Sequence, residues 1–142
     1  MSKKFKAGTY YIGDPCYVVS NDYWMDFIDA MERKEQIFET YEFFSCGTKY
    51  GDGTYTDSNG NEYMVDSGTI GVIPIDLVNR FDKYNSIGGQ IKTFNDDFNI
   101  YNSGDKLEID DFYILFKDEY YEDDLDEDYS SSDYYDMYDD DI

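Results

Sequence analysis

Two places in this chain of 142 residues carry side chains whose types and spacing could do chemistry. The first is Asp14-Pro15-Cys16, where a carboxylate stands two residues from a thiol. A nucleophilic cysteine reacts as its thiolate, which an adjacent base or positive charge must favour. The chain has no histidine, so the usual general base and the commonest metal ligand are both missing. Zinc centres and Ser-His or Cys-His catalysis are thereby excluded. Asp14 then reads as a turn carboxylate, and Cys16 as a small buried hydrophobe, the usual condition of a free cysteine.

The second place is the segment around Asp52, Asp57, Asn59, Asn61, Glu62 and Asp66, which is rich in oxygen ligands of the kind calcium takes. Its spacing does not fit an EF-hand: counted from Asp57, Glu62 stands where the loop glycine belongs and Gly68 where the closing glutamate belongs. Asp52 and Asp66 have the composition of a paired carboxylate site. Together with Asp14 they define one alternative, a small-ligand or calcium site built from carboxylates beside glycine turns. Polar turns and a solvated strand face are the plainer reading, and neither a cofactor nor a catalytic residue is expected.

The elements that would position these groups are legible from punctuation and period. Thr54-Tyr55-Thr56 and Glu62-Tyr63-Met64-Val65 flank a polar turn and predict a hairpin, with Asn59-Gly60 as a type I′ turn. Thr69-Ile70-Gly71-Val72-Ile73 predicts a strand buried on both faces and stopped by Pro74. Residues 1–7 read as a loose basic lead-in, Thr9 to Ile12 as the first strand, and Cys16 to Val19 as its resumption after the Gly13-Asp14-Pro15 turn. Ser20-Asn21-Asp22 is a capping cluster for a helix from Asp22 to Lys34. Its apolar stripe is Trp24, Phe27, Ile28 and Met31, with Arg33 and Lys34 in the last turn. Gln36 to Phe44 predicts one alternating strand. A short helix from Pro74 to Phe81, with Leu77, Val78 and Phe81 inward, precedes a turn at Ser86 to Gly89. Strands follow at Gln90 to Phe94, Phe98 to Tyr101, Leu107 to Ile109 and Phe112 to Phe116.

The expected fold is α+β: a mostly antiparallel curved sheet or partial barrel with one amphipathic helix and one short helix, followed by a disordered acidic tail. At 41% apolar and 20% aromatic residues, the chain can bury a core of its own. The expected division is a compact domain over residues 1–117 and a tail over 118–142.

Several motifs in order, Gly13-Asp14-Pro15-Cys16-Tyr17-Val18, Tyr50-Gly51-Asp52-Gly53-Thr54-Tyr55, Gly60-Asn61-Glu62-Tyr63 and Val65-Asp66-Ser67-Gly68-Thr69-Ile70-Gly71, resemble those of a group of small proteins from bacteriophages and some bacteria. The resemblance spans roughly residues 8–117. It implies a viral or mobile-element origin and carries over no active residues, because no family mechanism is established.

Charge narrows the partners. The net charge is −22, and residues 118–142 hold 13 acids and no base, leaving 20 acids against 11 Lys and Arg, a balance of −9, in residues 1–117. Such a chain repels nucleic acid and anionic membrane, so neither is an expected direct partner. With two cysteines and no apolar run of membrane-spanning length, the sequence reads as a reduced, cytoplasmic protein, in the host cytoplasm if viral.

The tail cannot bury enough apolar surface to offset its ordering entropy. Its residues expected to touch a partner are Asp118, Glu119, Tyr120, Tyr121, Glu122, Asp123, Asp124, Asp126, Glu127, Asp128, Tyr134, Tyr135, Asp139, Asp140 and Asp141. Adjacent acids in an extended chain lie roughly 3.3 Å apart, close to the roughly 3.4 Å charge spacing along one DNA strand. Local nucleic-acid mimicry against a basic host protein, itself nucleic-acid-binding, follows as the expectation, with no enzymatic activity. The remaining alternatives are solubility through self-repulsion and a structural or assembly role through exposed aromatics.

Overall fold

The computed structural model describes residues 2–83 and 88–116. It contains two open, fully antiparallel four-stranded sheets, two short strand pairs, two α-helices and one 3₁₀ turn. In chain order the strands are β1 (Ser2–Phe5), β2 (Gly8–Gly13), β3 (Ile37–Phe38), β4 (Tyr41–Glu42), β5 (Phe44–Gly47), β6 (Gly53–Thr56), β7 (Glu62–Val65) and β8 (Thr69–Pro74). These are followed by β9 (Gln90–Phe94), β10 (Phe98–Asn102), β11 (Lys106–Ile109) and β12 (Phe112–Leu115). Helix α1 is Asn21–Met31 and α2 is Ile75–Phe81. The α+β expectation is met, with open sheets instead of a closed barrel.

One sheet has the order β1-β10-β11-β12 and the other β5-β8-β2-β9. The second is the middle layer, because side chains alternate across a strand and its central strands are apolar on both faces. Tyr10 and Ile12 of β2, with Ile70 and Val72 of β8, face the first sheet and pack with Phe98, Ile100, Leu107 and Ile114. Tyr11 and Ile73 face the other way, onto Phe27 and Ala30 of α1 and Leu77, Val78 and Phe81 of α2. Phe27 stacks on Phe43 at 4.6 Å between ring centroids, joining α1 to the segment that leads into β5. Gly71 sits where no side chain fits comfortably: an added Cβ would lie 3.2 Å from the Phe44 carbonyl oxygen and 3.4 Å from Pro15.

Several expectations need correction. The basic lead-in is a strand: β1 pairs with β10 from Ser2↔Tyr101 to Phe5↔Phe98, and Phe5 is buried. Cys16 does not resume a strand, because Pro15–Tyr17 is a 3₁₀ turn capped by the Asp14 side chain, which captures the Cys16 N–H. Gln36 to Phe44 is not one strand, since Glu39 adopts φ +57° and folds Ile37–Phe38 back on Tyr41–Glu42.

Helix α1 ends at Met31, so Arg33 and Lys34 lie beyond it and the last turn has no base; Ser20 caps through its backbone position without a side-chain bond. The hairpin β6–β7 forms with the predicted strands, but its turn is not type I′: of Asn59 and Gly60 only Gly60 has positive φ, at +90°. The helix at Ile75–Phe81 buries the three side chains expected of it, and β9 spans the predicted residues. Ser86 and Ile87 of the expected turn, and the whole of the 118–142 tail with its partner-contact residues, lie outside the described residues. No helix among the described residues is long and apolar enough to cross a membrane.

Candidate functional site

Asp14 directly follows β2 and is fully buried. A buried carboxylate must be paired or fully hydrogen-bonded, and Asp14 is the latter. Its Oδ1 accepts from the Cys16 N–H at 2.8 Å and the Ser67 hydroxyl at 2.7 Å. Its Oδ2 accepts from the N–H groups of Asp66 and Ser67, each at 2.7 Å. Asp14 therefore clamps the β7–β8 loop to the end of β2, its carboxylate oxygens spent on donors of the chain itself.

Around this clamp the structure gathers the other residues singled out from the sequence. Tyr17 donates its hydroxyl to Asp66 Oδ2, and that bond, ahead of burial, drives the phenol well above its ordinary range. Asp52 reaches the same loop, its Oδ1 lying 3.8 Å from where a Cβ on Gly68 would sit. Asp14, Asp52 and Asp66 thus approach one loop, yet among the described residues no three Asp, Glu or Cys side chains converge as a cation site. Burial first, then the Asp14 charge and hydrogen bond, pushes the Cys16 thiol up to about 12, and burial alone does the same for Cys46. Both cysteines are free, and both are held as neutral thiols at neutral pH.

The oxygen-rich hairpin turn is likewise spent on its own chain. Asp57 is buried and accepts from the N–H groups of Asn59 and Asn61 at 2.9 Å each, from the Asn61 side-chain amide at 3.3 Å and from the Tyr63 hydroxyl at 2.7 Å. The neighbouring Ser58 N–H donates to the Tyr113 carbonyl at 2.8 Å, fastening the hairpin tip to β12. Asp57 and Asn61, put forward as cation ligands, close a turn instead.

A groove of about 330 Å³ lies open between α1 and the edge strand β5. Trp24, Ile28 and Met31 form its helical wall, and Ser45, Cys46 and Gly47 its strand wall, with Ser67 and Thr69 at one end and Glu32 at the helix end. Two brackets hold it. Gln36 joins the walls: its Nε2 donates to the Met31 carbonyl at 2.8 Å and the Ser45 hydroxyl at 2.7 Å, while its Oε1 accepts from the Ser45 N–H at 2.8 Å. The Asp14 clamp fixes Ser67.

The sequence reading placed Trp24, Ile28 and Met31 in one core stripe with Phe27. Phe27 and Ala30 are buried, whereas Trp24, Ile28 and Met31 stay half-exposed along the groove. The available signal was the width of the apolar arc, since Tyr23, Phe27 and Ala30 already complete one face at helical spacing. Comparison with protein-family models, curated proteins and solved structures finds no match to this chain.

Proposed function

We propose that this protein is a non-enzymatic, phage-type intracellular inhibitor or regulator that binds the basic surface of a host nucleic-acid-processing or defence protein. The observation that carries this reading is uncompensated charge. The chain is at −22, with 33 acids against 11 Lys and Arg. A net charge on this scale creates a field that attracts cationic surfaces and speeds encounter with them. A non-enzymatic reading is supported at Asp14 and Cys16, where the carboxylate holds backbone and hydroxyl donors of its own chain and the thiol is pushed up by burial and the Asp14 charge.

In this reading the β-rich body supplies the shaped contact and residues 118–142 supply charge, with tyrosines packing beside Lys and Arg as bases would. The test is affinity capture from host lysate with the full chain beside residues 1–117, at low and at high salt, with bound proteins identified by mass spectrometry. A basic nucleic-acid-binding protein retained by the full chain at low salt and released at high salt supports the proposal. Capture that ignores salt, or that recovers no basic protein, removes it.

A further inference from the structure

We propose that the groove between α1 and β5 is a receptor for an arginine of the basic partner, with the guanidinium at Glu32, the alkyl stem along Met31 and an apolar neighbour of that arginine along Ile28 and Trp24. The inference rests on the reading of the protein as a binder of basic surfaces and assigns it a contact on the folded body. Three features of the groove converge on this occupant.

The apolar wall is long. Trp24, Ile28 and Met31 recur at i, i+4 and i+7, which spans about 10 Å of helix. At about 330 Å³ the groove lies at the small end of ligand sites, suited to an extended side chain and unsuited to a bulky cofactor.

The charge is of one sign. Glu32 is the one charged residue lining the groove, and its carboxylate has no hydrogen-bond or ion-pair partner among the described residues. Cys46 adds no second charge, being neutral. An exposed carboxylate at the end of an apolar slot matches a side chain that is apolar along its length and cationic at its tip.

The third feature is the carboxylate at the tip. A guanidinium is planar, weakly hydrated and forks onto a carboxylate through two N–H groups, which distinguishes arginine from lysine here. The walls are also preorganised, since Gln36 and the Asp14–Ser67 clamp hold them without any ligand, so little ordering is left to oppose binding.

Trp24 is the chain's single tryptophan, so its emission reports on the groove alone. The experiment titrates the full chain with the blocked peptide Ala-Leu-Arg-Leu-Ala and with its citrulline analogue, which keeps the shape and loses the charge. A saturable change in Trp24 emission with the arginine peptide is expected, weaker by about tenfold with citrulline. Glu32→Gln should erase most of that difference while leaving the citrulline titration unchanged.

Equal affinity for the two peptides, a gap that survives Glu32→Gln, or no saturable response would each overturn the proposal. Glu32 is exposed, so its substitution should leave the melting temperature unchanged. The same variant is then put through salt-dependent capture on host lysate. If the groove titration fails but capture persists, the arginine site falls and the wider reading stands; if capture fails in the parent chain, the wider reading falls.

Discussion

Asp14 and Ser67 stand 53 residues apart in the chain and are joined by two hydrogen bonds of 2.7 Å, one from the Ser67 N–H and one from its hydroxyl. This pair is the hinge pin of the β2 end, the β7–β8 loop and one end of the groove. It extends the role expected of Asp14, a turn carboxylate, to a second loop far along the chain.

Replacing Asp14 with asparagine or alanine should destabilise the protein by about 3 kcal/mol or more, because the N–H groups of Cys16, Asp66 and Ser67 would be left facing a poorer acceptor or none. Urea unfolding measures it. An Asp14→Asn variant as stable as the parent would show that the clamp is dispensable.

Tyr63→Phe deletes the hydroxyl that donates to Asp57 at 2.7 Å, at an expected cost of about 1–2 kcal/mol at pH 7. Burial pushes Asp57 up, but the bonds from Tyr63, Asn61 and Asn59 outweigh it and hold the carboxyl below its ordinary range. A carboxyl held low in the fold stabilises above its unfolded value near 3.9, and that contribution is lost as pH falls through the folded value. The stability difference between parent and Tyr63→Phe should therefore shrink below about pH 4, which unfolding curves at pH 7 and pH 3 would reveal.

Both thiols should resist alkylation in the folded protein. With Cys16 and Cys46 pushed up to about 12, their thiolate fraction at pH 8 falls about a thousandfold below that of a free cysteine near 8.5. Iodoacetamide labelling followed by mass spectrometry, with and without urea, tests this. Rapid labelling of Cys16 under native conditions would restore the reactive-thiol reading.

Phe5→Ala should cost about 3 kcal/mol, as expected for emptying a buried aromatic site, even though the residue lies five positions from the start. Thermal melting would separate this from a disordered lead-in, for which no change is expected.

Removing residues 118–142 should shift the melting temperature by less than about 3 °C at moderate salt. Among the described residues the two cores already close on themselves between Phe5 and Phe116. A large loss of stability on truncation would show that the tail packs on the body.

Legibility followed the range of the interactions involved. Strands β8 and β9 and helix α2 were readable because glycine, proline and an unbroken apolar period mark them locally. Strand β1 was not, because Ser2, Lys3 and Lys4 carry no β signal and its partner is β10, near the other end of the folded body. The break at Glu39 was hidden because a glutamate holds φ +57° where a glycine would have announced the turn. Asp14 is legible as a turn carboxylate from Gly13-Asp14-Pro15, but its donors on Asp66 and Ser67 are not, and Asp57 looks like a cation ligand because sequence shows the carboxylate without the donors around it. The groove was missed for a related reason: hydrophobic period tells which residues share a helix face, not which of two neighbouring faces the sheet will cover.

The pairing of β1 with β10 also sets an order of events at the ribosome. Ser2–Phe5 leaves while its partner Phe98–Asn102 is not yet made. At about 5–20 residues per second, the wait for those roughly 90 intervening residues lasts on the order of 5–20 s. During that interval the nascent chain can build the β5-β8-β2 part of its middle sheet, but the face that will carry Tyr10, Ile12 and Val72 stays uncovered. The late strands close it, and slow synthesis or premature release would therefore leave a sticky half-layered chain as the characteristic misfolded product.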